Sequence, residues 1–239
     1  MNRLFTLSLL ALLGPVVCAA QNSITPLPPN YKTILETRSF KVIRVHYGPH
    51  EKVPVHDHPD TPTVYVYLNN SSPVRLIHEE NRGKPFTIVR PPTQKGAFRV
   101  SPGSIERHSV ENLGDIESNF LRVELPGLRL GDHTLEFRGQ APADLSHDLS
   151  AVEFSSPRLT VRRTICADNS PCSIAPSPAS SVIVALSGST ISNAGRKTTL
   201  GLGDVKAIAP HQSLLLSPTD AGPAHILQIL VPGEKWSGH

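Results

Sequence analysis

VPVHDHPDTPTVYVYL, residues 53–68, sets two histidines one residue apart among prolines and runs straight into an alternating β-branched and aromatic stretch. Successive side chains of a strand point to opposite faces, so His56 and His58 share one face and Asp57 takes the other. Further runs of strand composition are SFKVIRVHY (39–47), PVRLIHEE (73–80), GAFRVSP (96–102) and NFLRVELPG (119–127). Helical periodicity is hard to find, and 23 prolines break long helices. Aromatic residues make up only 5%, so the core must be built from Val, Leu and Ile, which suits a sandwich or small barrel. The fold class is all-β.

The strand runs recur. SFKVIRV (39–45) resembles SPRLTVR (156–162), and TVYVYL (63–68) resembles SVIVAL (181–186). GAFRVSPGSIERHSVENLG (96–114) aligns without gaps on DVKAIAPHQSLLLSPTDAG (204–222). Both series end on a strand followed by Pro-Gly, LRVELPG (121–127) and LQILVPG (227–233). Four matches in one order indicate duplication of an all-β unit. The polar stretch from Leu128 to Ala151 is the natural linker. We therefore expect a signal segment at 1–20, one unit over 21–140 and a second over 141–239.

Residues 1–20, MNRLFTLSLLALLGPVVCAA, carry a positive Arg3, an apolar run and a small-residue cleavage site, the pattern of a secretory signal. The run is short and broken by Gly14-Pro15, against a membrane span. The expected location is secreted or periplasmic. Loss of Arg3 leaves 22 basic against 20 acidic residues, and no basic cluster remains to recruit nucleic acid. The mature chain keeps two cysteines, Cys166 and Cys172, and in an oxidising compartment so close a pair reads as a disulfide.

A His-x-His pair alone more often marks a polar turn than a metal site, because two donors hold an ion poorly. The residues offer a third donor in SPGSIERHSVENLG, where Glu106, His108 and Val110 share a strand face. Gly48, His56 and His58, followed by Gly96, Pro102, Gly103, His108 and Asn112, resemble the two motifs of the cupin superfamily, and the duplication resembles its bicupin arrangement. The spacing from Gly48 to His56 and from Pro102 to His108 is longer than the family pattern. Pro62 and Thr63 stand where the family carries a glutamate.

The resemblance implies two tandem cupin-type jelly-roll β-sandwich barrels. It implies that His56, His58 and His108 are ligands of a divalent metal, with Fe, Mn, Ni, Cu and Zn all compatible with imidazole donors. Without a carboxylate these donors leave the ion's charge uncompensated, which favours a small anionic ligand or substrate. Glu106 is placed to act as a base or to orient His108. His50 and His78 are conceivable fourth donors, though surface positions near strand ends suit them better. In the second copy the gapless alignment puts Ser173, Ala175 and Leu216 at the ligand positions, so that unit is expected to lack metal. The function implied is an exported metal-dependent enzyme of oxygenase or isomerase type. The alternative is a non-catalytic module that binds or senses a sugar or carboxylate, as monomer or homodimer.

Overall fold

Alternation in TVYVYL puts Val64, Val66 and Leu68 on one face and Tyr65 and Tyr67 on the other, and both faces are covered. One face is buried in a core and the other lines a cavity, which explains the architecture. The structure, a computed structural model, describes residues 25–79, 84–131, 135–167, 170–220 and 222–232. The signal reading of residues 1–20 lies outside the described residues.

Four antiparallel sheets are present among the described residues. The first has six strands in the order β1 (Tyr31–Glu36), β2 (Lys41–Tyr47), β9 (Ser118–Glu124), β4 (Thr63–Tyr67), β7 (Phe98–Ser101) and β10 (Phe137–Gly139). The second runs β3 (Lys52–His58), β8 (Glu106–Asn112), β5 (Val74–His78) and β6 (Phe86–Arg90). The third, of five strands, runs β11 (Leu149–Ser155), β12 (Thr160–Cys166), β19 (Ala224–Val231), β14 (Ser180–Ala185) and β17 (Val205–Ile208). The fourth runs β13 (Cys172–Ile174), β18 (Leu214–Pro218), β15 (Ser189–Asn193) and β16 (Arg196–Leu200). The stretch expected as a linker contains β10, which pairs with β7 and widens the first sheet.

The first and third sheets pack back to back. Phe40, Val42, Val64, Val66 and Val123 from one meet Leu159, Val161, Val182, Val184 and Ile229 from the other in a single apolar cluster. Each such fully buried side chain contributes about 1.5–3 kcal/mol. On its opposite face the first sheet covers the second through Ile43, Val45, Val53 and Val110. The third covers the fourth likewise through Ile174, Ile183, Ile191, Leu214 and Ile226. The result is two jelly-roll sandwiches sharing one central interface.

Two arginines span that interface at equivalent places. Arg44 Nη2 donates to the Gly203 carbonyl at 2.7 Å. Arg163 Nη2 donates to the Gln140 carbonyl at 3.1 Å. Gly203 sits at a φ of +77°, and a Cβ there would lie 2.6 Å from Arg44 Nη2, so only glycine admits the close approach. A disulfide joins Cys166, at the end of β12, to Cys172, at the start of β13.

The ladders correct the alignment of the two copies. Val42 faces Val123 as Val161 faces Ile229, which matches Phe40 with Leu159 and shifts the first run by two positions. Leu68 donates to the Asn119 carbonyl as Leu186 donates to that of His225. Counting back without gaps from Asn119 and His225 makes Leu214, not Leu216, the counterpart of His108. Ile174 faces Leu214 as His56 faces His108. Ser173 is exposed, on the outer face. The gapless reading failed because the spacing between matched strands differs in the two copies. The two-residue error at Leu216 keeps the face, whereas the one-residue error at Ser173 moves the side chain to the other face.

Candidate metal centre

Local backbone chemistry aims the histidines inward. Pro54 has no N–H to give a ladder, and β3 is bulged between Val53 and His56, where proline is tolerated. Beyond the bulge His56 faces His108 and His58 faces Glu106. Asp57 and Arg107 face each other on the outside and pair at 3.1 Å. Burial opposes ionisation of Asp57, but the Thr25 N–H and Arg107 hold its carboxyl below the ordinary value.

His56, His58 and His108 are buried, and their coordinating atoms lie within 4.8 Å of one another. Ring centroids are 4.8 Å apart for His56 and His58, 4.9 Å for His56 and His108, and 5.0 Å for His58 and His108. Burial depresses all three basicities. His58 is further opposed by the Arg122 charge, and His108, brought down to about 3, by His56. The rings are therefore neutral, the form that binds a metal.

Two features of the rings fit a cation. His56 Nδ1 donates to the Pro54 carbonyl at 2.8 Å, the arrangement that fixes the tautomer of a ligating imidazole. Nδ1 of His58 and Nδ1 of His108 are buried without a hydrogen-bond partner. Buried polar atoms normally have partners, and an ion is one resolution of such an orphan. His56, His58 and His108 are thus suited to a divalent metal.

His58 and His108 border a cavity of about 90 Å³, room for a few waters or one small molecule. Tyr65, Tyr67, Arg99, Arg122 and Glu106 line it as well. Arg122 is buried and committed, its Nε donating to Glu124 at 2.9 Å and its Nη1 to Tyr65 Oη at 3.0 Å. Arg90 at the rim pairs with Glu136 at 3.2 Å. The Arg99 guanidinium lies 4.1 Å over the Tyr65 ring, and among the described residues no carboxylate reaches it at ion-pair distance. Glu106 Oε2 is 3.8 Å from His108 Nδ1.

Other motif residues build walls. Asn112 is buried, and its amide donates to the carbonyls of Gly48 at 2.8 Å and Ile116 at 2.9 Å, tying the end of β8 to the preceding turn. Gly103, at a φ of +91°, is pressed against the Thr61 and Pro62 backbone, where a Cβ would come within 2.6 Å. Thr63, at the position of the missing glutamate, turns its hydroxyl to the Thr61 carbonyl. His50 is exposed and bonds Asp115 at 2.9 Å, outside the cluster. His78 faces His108 in the ladder and stacks on Phe86 at 4.6 Å, but the three-histidine group does not include it.

Sequence reasoning missed Tyr31, Arg99 and Arg122. Tyr31 Oη lies 2.8 Å from His56 Nε2 and 2.6 Å from Tyr47 Oη, and burial raises both phenols above their ordinary value. For the two arginines a signal existed: each alternates with buried apolar residues, in FRV (98–100) and LRV (121–123).

No protein-family model matches the sequence, and no curated protein matches it. Solved structures do. YhaK from Escherichia coli aligns with a TM-score of 0.58 at 12% identity, over 87% of this chain and 91% of that one. A mutant of salicylate 1,2-dioxygenase from Pseudoaminobacter salicylatoxidans aligns at 0.52 and 12%, over 81% and 70%. Oxalate decarboxylase from Bacillus subtilis aligns at 0.54 and 12%, over 81% and 68%. The same decarboxylase is described elsewhere with Mn(II) centres.

Proposed function

From the premise that the chain has the two-domain cupin fold, we propose that it is an exported, metal-dependent enzyme acting on a small carboxylate. The observation that carries the reading is the convergence of three buried, neutral imidazoles, two of which, His58 and His108, line a cavity whose Arg99 guanidinium has no carboxylate partner among the described residues. His56, His58 and His108 would hold a divalent ion, which supplies Lewis acidity and an anchoring charge.

Arg99 receives the carboxylate, and Tyr65 beneath it keeps the guanidinium flat toward the cavity. Tyr65 and Tyr67 offer aromatic walls that favour a planar substrate. Arg122, neutralised by Glu124, orients Tyr65 rather than binding the anion. Glu106 is the group that moves a proton at the substrate, being the cavity carboxylate not engaged by an arginine. Two of the similar structures are named for salicylate and oxalate, both carboxylates, which accords with this choice.

The second sandwich, with Ile174 facing Leu214 in an apolar interior, serves as a metal-free support. The disulfide supports an oxidising compartment and so export.

Purified chain, stripped of metal and reconstituted, is assayed for oxygen uptake and product formation with small carboxylates, diketones and phenols. Turnover of a carboxylate is expected, abolished by stripping. Arg99→Gln should raise KM roughly 10- to 100-fold, the loss of one charge-assisted pair. Carboxylate bound by the metal-loaded chain and recovered unchanged would show a binding module instead.

A further inference from the structure

The partners of His56 determine its proton. The Pro54 carbonyl only accepts, so Nδ1 carries the hydrogen. Nε2 of the neutral ring then holds a lone pair, to which the Tyr31 hydroxyl donates at 2.8 Å while accepting from Tyr47 at 2.6 Å. That lone pair is also the one His56 presents to a cation. An ion at about 2.1 Å from Nε2 takes the space of the O–H bond, so the phenol must either withdraw or become a donor.

Withdrawal is hindered. Tyr31 faces Val45 in the ladder of β1 and β2, and its N–H donates to the Pro28 carbonyl at 2.9 Å. Its ring packs 4.7 Å from that of His56, 5.4 Å from that of His58 and 6.1 Å from that of Tyr47. Donation by comparison needs little movement. Adjacent donors on one ion with bonds of about 2.1 Å lie roughly 3 Å apart, close to the present separation of Tyr31 Oη from His56 Nε2. Charge favours it as well, because the family glutamate is replaced by Pro62 and Thr63, and Glu106 reaches only to 3.8 Å from His108.

We propose that Tyr31 is the fourth protein ligand, its phenolate oxygen joining His56, His58 and His108. The inference rests on the three-histidine reading. Coordination replaces the O–H bond by an O–metal bond, and the proton leaves to solvent. Tyr47 remains a hydrogen-bond donor to the ligating oxygen.

The test loads the full chain with one equivalent of Fe(III), and separately Cu(II), and records metal stoichiometry, visible absorption and resonance Raman spectra. A phenolate-to-metal charge-transfer band with enhanced tyrosine ring modes is expected. Tyr31→Phe should lose the band entirely while retaining metal on the three histidines. Tyr47→Phe, which removes only the donor to Tyr31, should keep the band with its maximum shifted, and it controls for disturbance of the fold. Metal bound by the unaltered chain without the band, or a band that persists in Tyr31→Phe, overturns this inference alone. Failure of the unaltered chain to bind either ion overturns the three-histidine reading, and this inference with it.

Discussion

Replacing Arg163 by Met should be among the most damaging single changes in the chain. The side chain is fully buried. Its Nε and Nη2 hold the two Glu153 oxygens at 2.6 and 2.9 Å, its Nη2 also serves the Gln140 carbonyl, and its Nη1 lies 2.7 Å from His225 Nε2. Methionine matches much of the volume, so the cost is electrostatic rather than steric. Removing one partner of a buried ion pair costs about 3–5 kcal/mol, because the other charge is stranded. The Glu153 side chain keeps 23% exposure, so water recovers part of its solvation and the lower end, about 3 kcal/mol, is expected. At roughly 2–4 °C per kcal/mol for a chain of this size, Tm should fall by about 6–12 °C. Urea unfolding at pH 7.5 measures it, with an unchanged slope indicating that the compactness of the folded and unfolded states is unaltered. Adding Glu153→Gln should restore about half or more of the loss, since the stranded charge is then gone. A loss below about 1 kcal/mol, or no recovery in the double variant, would refute the reasoning.

Acid should weaken the same region. Burial, then Arg163, brings His225 down to about 3, below the ordinary 6.5 of the unfolded chain. The unfolded state therefore binds the extra proton between those values, and the stability present above pH 6.5 falls as pH drops toward 3. From pH 7.5 to 5 this one group should cost roughly 2 kcal/mol. His225→Gln should lose that much less over the interval, and identical pH slopes for the two proteins would count against the assignment. Reducing the Cys166–Cys172 disulfide should lower stability by about 2–3 kcal/mol, the loop-closure value for so short a ring. An unchanged Tm after verified reduction would show that the loop is held by the Ile174 and Leu216 packing alone.

Much of the architecture was legible because strand alternation is a local signal. TVYVYL announced a strand with two usable faces, and only the packed sheets show that the valines meet the other half while the tyrosines line the cavity. His56, His58 and His108 could be selected because parity along a strand fixes which side chains travel together. The register of the duplicate could not, since small differences in the spacing between strands are invisible to composition, and a misplacement by one exchanges exposed Ser173 for buried Ile174. Tyr31 was hidden for another reason. Its place beside His56 is made by the pairing of β1 with β2, and nothing in NYKTIL distinguishes that tyrosine from one that merely packs.

Three imidazoles brought together from β3 and β8 are the core of this reading, and metal content addresses them directly. Elemental analysis after loading and desalting should find one divalent ion per unaltered chain and per His50→Ala chain, whose exposed ring lies outside the cluster. His56→Ala and His108→Ala should each retain little or none while remaining folded. Equal metal in all four proteins, or none in the unaltered one, would mean that the buried histidines hold no ion.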